Sequence, residues 1–299
     1  MYYIDATIYA SRRSPAELEL MSAAGGIAVI EPMTWLGTNR QYAETYIEDF
    51  ERLVGPEARR AHHFGLGYGA CIGILPHEAA QTGLAQAVLN AMPRYLEQDN
   101  VVAVGEIGLG SGSAGEEEIF RRQVRLARRH ELPIVIQARP SDRQELIAKT
   151  LTIAAEEGLP ARYMLVNGVN EATALNVRRF GAWAGLTVDP NTHLRPEAIV
   201  SLIHREGTDG YVLNSAAGRM LGDPLAVPRT ARAMAEANLP LSTIEKVTFH
   251  NPKWFYSQGH ALPLGVWGDK VSALASPERL APRAQTNGQA YPAEVARVR

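Results

Sequence analysis

Glu106, in the run Val104-Gly105-Glu106-Ile107-Gly108-Leu109, is the residue of this sequence with the clearest capacity for chemistry. A carboxyl group held among neutral polar groups can take or give a proton, so Glu106 is a candidate general acid or base. Tyr9, Gln137, Asn167 and Asn214 close other apolar runs and can offer hydrogen bonds to a developing enolate or oxyanion. Asp5, Thr7 and Tyr9 alternate along one run, and residues two apart on a strand share a face. Thr7 and Tyr9 are therefore expected to point together. A free imidazole exchanges its proton near neutral pH, so His77 and His193 are further acid–base candidates. The catalytic set read from the sequence is Glu106, Tyr9, Asp5, His77 and His193. The substrate-binding set is Thr7, Glu31, Trp35, Arg40, Gln137, Arg139, Asn167, Asn170, Asn214 and Ser215. Such groups suit cyclisation, dehydration, isomerisation or condensation at a carbonyl. Each alone reads as an ordinary hydrogen-bonded loop residue; their convergence on one face carries the site. For Glu106 the competing role is a salt bridge to Arg12, Arg40 or Arg139.

Elements of a particular kind must position these residues. Eight short apolar runs alternate with segments of helical periodicity: Tyr2–Tyr9, Gly26–Met33, His63–Leu75, Val101–Leu109, Pro133–Arg139, Arg162–Val169, Ala182–Asp189 and Gly210–Ala216. Continuous Val/Ile/Leu runs suit strands buried on both faces of a parallel sheet. The helical segments include Pro15–Ala24, Gln41–Val54, Leu84–Glu97, Glu116–His130, Asp142–Glu157 and Pro196–His204, then Pro228–Asn238 and Ser242–Phe249. Ser14-Pro15-Ala16-Glu17 combines a capping serine, a proline at the first helical position and a glutamate three residues after the cap. Eight such units in 299 residues favour a closed (β/α)₈ TIM barrel. An open doubly wound sheet is the runner-up, weakened because no Gly-x-Gly-x-x-Gly follows the first run. Barrel enzymes carry reactive groups at the carboxyl ends of their strands. In this chain those ends also include Asp189 and Asn191.

Composition removes several function classes. The formal net charge is −2, which gives no basic footprint for nucleic acid. The single cysteine, Cys71, excludes an intramolecular disulfide and a cysteine-built metal site, and reads as a small buried apolar residue. The opening MYYIDATIYA is unlike a signal peptide and no run is long enough to span a membrane, so a cytoplasmic protein is the expectation. The partner expectation is a small-molecule substrate, with no nucleic acid and no membrane, and it admits a homodimer. From about Ser276 the chain turns polar and rich in Pro, Ala and Arg. Residues 1–260 are expected to form the barrel and 261–299 a partly disordered or surface-wrapped extension.

The sequence resembles the TatD-like metal-dependent hydrolases, amidohydrolase-like TIM barrels. Gly105-Glu106-Ile107-Gly108-Leu109 is similar to that family's Gly-Glu-Ile-Gly-Leu motif, and Glu118-Ile119-Phe120-Arg121-Arg122-Gln123 and Leu132-Pro133-Ile134-Val135-Ile136 follow as they do there. Ile30-Glu31-Pro32-Met33-Thr34-Trp35-Leu36-Gly37, with Asn214 to Ala217 before Asp223-Pro224-Leu225, resembles the branch found beside specialised-metabolite and prenyltransferase genes. The likeness spans roughly residues 1 to 260. It implies a metal site at the barrel mouth, and the sequence departs from that site. Thr7 and Tyr9 stand at the family's His-x-His pair, Gln137 at the histidine of the fifth strand, and Asn167 and Gly168 at that of the sixth. Gly218 stands near the aspartate of the eighth. Glu106 alone keeps its family identity. One carboxylate is too few for a catalytic zinc, while magnesium tolerates fewer protein ligands. No cofactor and no metal are expected. The reading is a metal-independent acid–base enzyme acting on a small carbonyl-containing intermediate of specialised metabolism. The alternatives are a non-catalytic binding or scaffold pseudoenzyme, and a hydrolase retaining a weak divalent site at Glu106. Gly168 and Gly218 are expected to widen the pocket for a substrate.

Overall fold

The computed structural model describes residues 1–35, 37, 39–138, 144–189, 194–218 and 222–265. The eight apolar runs form eight parallel strands in chain order: β1 (Tyr3–Asp5), β2 (Gly26–Pro32), β3 (Gly67–Ile72), β4 (Val101–Ile107), β5 (Ile134–Gln137), β6 (Met164–Asn167), β7 (Trp183–Thr187) and β8 (Tyr211–Asn214). Between them lie α1 (Pro15–Ala23), α2 (Ala43–Arg52), α3 (Ala58–His63), α4 (Thr82–Ala91), α5 (Pro93–Leu96), α6 (Ala114–Arg129), α7 (Gln144–Glu156), α8 (Glu171–Phe180) and α9 (Pro196–Glu206). After β8 come α10 (Ala226–Glu236), α11 (Leu241–Glu245) and α12 (Asn251–Tyr256). This is a (β/α)₈ barrel.

Strand pleating sorts the side chains into two cores. Ile4, Ala28, Ile30, Cys71, Val135, Leu165 and Val212 fill the barrel interior, where Phe255 and Tyr256 of α12 join them. Tyr3, Val29, Ile72, Val104, Ile134, Val166 and Leu213 belong to the larger core that includes helical residues. Cys71 is buried, as its apolar neighbours foretell.

β1 and β8 are the ends of the hydrogen-bonded strand order, and a looser set of bonds joins them. Ala6 N donates to Leu213 O (3.4 Å), Ala216 N to Thr7 O (2.9 Å) and Tyr9 N to Ala217 O (2.9 Å). The Asp5 carboxylate reinforces this seam by accepting from Ser215 N (3.0 Å) and Ser215 Oγ (2.6 Å). Tyr256 adds a bond from its hydroxyl to Ala6 O (2.7 Å).

Three elements differ from the sequence reading. The third run opens inside α3, and β3 begins only at Gly67. A Cβ at Gly67 would lie 2.0 Å from Pro263 O, so a glycine is needed where the later chain crosses the strand. The second helix runs on past Val54 through a π-helical turn, Leu53–Glu57, into α3. Pro56 sits in that turn; a wider turn accommodates a residue that has no N–H to give the ladder. α8 occupies the β6–β7 connection, where the sequence reading named no helix. The cap on α1 matches its signature: Ser14 Oγ accepts from Glu17 N (3.3 Å) and Glu17 accepts from Ser14 N (2.8 Å). The proposed extension lies almost wholly outside the described residues. Among the described residues, no helix is long and apolar enough to cross a membrane.

Candidate active site

Five of the sequence-predicted residues meet at the carboxyl ends of β1, β4, β6 and β8. The register slips at Glu106: Gly105 pairs with Val135 and Ile107 with Ile136. An extra residue in a ladder re-aims a side chain, and Glu106 faces the mouth. Its carboxylate accepts from Tyr9 Oη (3.0 Å) and from Asn167 Nδ2 (3.4 Å). Asn167 Nδ2 also donates to Thr7 Oγ1 (2.8 Å), and Asn214 Nδ2 donates to Asn167 Oδ1 (3.3 Å). Glu106, Tyr9, Thr7, Asn167 and Asn214 are all buried, so this network is shielded from solvent competition. It borders a cavity of about 10 Å³ lined also by Gln137, Ala138, Gly168, Thr187 and Ala216.

Two glycines make the arrangement sterically possible. A Cβ at Gly185 would lie 2.0 Å from Asn167 Oδ1. One at Gly218, where φ is +103°, would lie 2.7 Å from Tyr9 O and 2.8 Å from Tyr9 Cβ. The space at Gly218 is thus taken by Tyr9. The expectation that Gly218 widens the pocket is corrected here, because the Tyr9 backbone carbonyl and Cβ already fill the space that a side chain at 218 would take.

Other predicted residues have partners of their own. Asp5 and Ser215 bond to each other across the seam, and Asp5 also accepts from Thr7 N (3.3 Å). Burial pushes the Asp5 carboxyl up to about 7, against the lowering effect of its bonds from Ser215 and Thr7. Glu31 accepts from Ser11 N, Ser11 Oγ and Tyr68 Oη, and burial likewise pushes it up to about 7. These two carboxylates anchor both ends of the segment that carries Thr7 and Tyr9. Asn170 is exposed and caps α8, accepting from Thr173 N (2.9 Å). Arg40 is buried in ion pairs with Asp49 (2.6 Å) and Glu78 (2.8 Å), and its guanidinium covers the Tyr46 ring at 4.4 Å. Arg12 donates to Gly218 O (3.3 Å) and Trp35 O (2.6 Å). Both salt-bridge partners suggested for Glu106 among the described residues are therefore engaged elsewhere. Half-buried His77 meets exposed Trp35 edge-on, with ring centroids 5.8 Å apart. Arg139, Asn191 and His193 lie outside the described residues.

Thr187 escaped the sequence reading although it lines the cavity and accepts from Gly168 N (3.2 Å). Its spacing of two from Gly185 on β7 was the available signal. Among the described residues, no three of His, Cys, Asp and Glu gather as a metal-holding group.

A parallel eight-stranded barrel with a polar cluster at its strand ends defines the class of protein as a (β/α)₈ barrel. The chain belongs to the TatD-related DNase family, whose model matches residues 13–257. It is 27% identical over 253 residues to an uncharacterized metal-dependent hydrolase of Methanocaldococcus jannaschii, covering 85% of this chain and 99% of that one. The TatD-like protein of Archaeoglobus fulgidus superposes with a TM-score of 0.70 at 25% identity, over 85% of this chain and 99% of that one. The phosphotriesterase homology protein of Escherichia coli shares the fold, with a TM-score of 0.64 at 15% identity, over 86% and 99% of the two chains.

Proposed function

We propose that this protein is a metal-independent acid–base enzyme acting on a small carbonyl-containing metabolite, of cyclase, dehydratase, isomerase or condensation type. The observation that supports it is the connected cluster in which Tyr9 Oη and Asn167 Nδ2 both aim donors at Glu106. In this reading Glu106 takes a proton from the carbon beside the carbonyl, and the electron pair moves to the carbonyl oxygen. The Gln137 amide at the cavity stabilises that oxygen. Assignment of the substrate to specialised metabolism rests on the sequence resemblance alone.

A divalent metal fits this donor set poorly. A metal needs lone pairs aimed at it, and a catalytic zinc takes about three nitrogen, sulfur or carboxylate ligands. Around Glu106 the neighbours present an O–H and an N–H instead, and Tyr9 occupies the space beside Gly218. The metal-dependent hydrolysis named for the Methanocaldococcus relative is accordingly not carried over. A second reading, a ligand-binding pseudoenzyme, draws support from the small cavity and from groups that largely satisfy one another.

The test is incubation of the purified chain with candidate carbonyl intermediates, followed by mass spectrometry with and without chelator. Turnover that ignores chelator and vanishes in Glu106→Gln is the expected result. Binding without turnover by the wild type would favour the pseudoenzyme, and chelator-sensitive turnover a hydrolase with a weak metal site.

A further inference from the structure

Asn214, at the end of β8, is fully buried and lines the cavity beside Glu106. Its Nδ2 donates to Asn167, and its Oδ1 has no hydrogen-bond partner. A buried acceptor without a donor is costly, and native structures rarely leave one so. The cavity next to it has a volume of about 10 Å³. That is about the room one water requires, and water needs two to four polar partners. Asn214 and Glu106 both line this space, each carries an oxygen that can accept a hydrogen bond, and one water carries two O–H donors. Gln137 also lines the space, and its amide can supply an N–H to the water oxygen.

We propose that this cavity binds a single water donating to Asn214 Oδ1 and to Glu106, and that this water is a reactant. The inference rests on the acid–base reading of Glu106 and narrows it to reactions in which water adds to or leaves a carbonyl compound. In addition, the water oxygen forms a bond to the electrophilic carbon. The π pair moves onto the carbonyl oxygen, and a water proton passes to Glu106. Glu106 then returns that proton to the oxyanion, and the reverse sequence expels water. Asn214 fixes the water's orientation while Glu106 exchanges its proton.

Crystal structures and an oxygen-exchange assay test this together. The wild-type crystal should show a spherical density peak within hydrogen-bond distance of Asn214 and Glu106. That peak should persist in Glu106→Gln and vanish in Asn214→Leu. The probe for reaction is acetone in ¹⁸O-water, whose carbonyl exchanges oxygen by reversible hydration. The wild type should accelerate exchange, and each variant should lose about 100-fold or more of that acceleration. An absent wild-type peak overturns the inference whether or not Asn214→Leu folds, and leaves the Glu106 reading standing. A peak without accelerated exchange, or exchange undiminished in a folded Asn214→Leu protein, shows a structural water and overturns it too. Exchange lost in Asn214→Leu but kept in Glu106→Gln would uphold the water and defeat Glu106 as its base.

Discussion

At the residue scale, Tyr9 ties the mouth together on two sides. Its hydroxyl donates to Glu106 at 3.0 Å, and its backbone and Cβ press on Gly218. Tyr9→Phe removes one bond to a carboxylate, so stability should fall by only about 1–3 kcal/mol. Activity should fall further, because the phenol touches the proposed proton carrier. Equal proportional losses of melting temperature and turnover would make Tyr9 a core residue only. Gly218→Ala would add a Cβ at a positive φ and within 2.8 Å of Tyr9. It should destabilise by about 1–3 kcal/mol or more, read by urea denaturation, and displace Tyr9. Residue types and strand alternation made Glu106, Thr7, Tyr9, Gln137, Asn167 and Asn214 legible as one mouth. They could not reveal partners. Arg40 looks like a free loop cation in the sequence, yet Asp49 and Glu78 hold it; Asn170 looks like a site amide, yet it caps a helix. Gly185 went unread because a glycine's need shows only when Asn167 is seen against it.

At the scale of elements, the segment from Asp5 to Ser11 is tied at both ends by buried carboxyls, each pushed up to about 7. Free carboxyls titrate near pH 4. The folded chain therefore holds more protons than the unfolded chain between about pH 4 and 7, and folding stability declines as pH rises through that window. Melting temperatures measured from pH 4 to 8 should show this decline, and Asp5→Asn with Glu31→Gln should flatten it. The loop after β2 depends on Arg40 in the same way. Arg40→Ala leaves Asp49 and Glu78 buried without their cation, and should cost about 3–5 kcal/mol in chemical denaturation. Strand existence was legible throughout, since both-face burial writes Val, Ile and Leu continuously. Boundaries were less so. The aromatic and apolar residues after His63 blurred a helix end into a strand start, and the π-turn that admits Pro56 has no simple periodic signature.

At the scale of the whole molecule, family membership and residue chemistry point different ways. The matching family model carries a DNase description, while this chain has a net charge of −2 and, among the described residues, a cavity at the mouth lined by one carboxylate and neutral side chains. Phosphate backbones are held chiefly by cations. Purified protein in magnesium or manganese buffer should leave single- and double-stranded DNA intact. Chelator-sensitive cleavage that co-purifies with the chain and disappears in Glu106→Gln would reverse this reading.

The seam between β1 and β8 also bears on how the protein is made. Ser215 lies 210 positions after Asp5, and Tyr256 lies 250 positions after Ala6. A ribosome releases the first strand long before either partner exists. Loop closure over such separations is slow, and open strand edges invite aggregation meanwhile. The Thr7–Asn167 and Tyr9–Glu106 bonds join the same early strand to later ones. Nascent chains stalled before residue 215 should lack the closed mouth altogether and depend on chaperones, so the polar cluster arises at the end of synthesis rather than growing strand by strand.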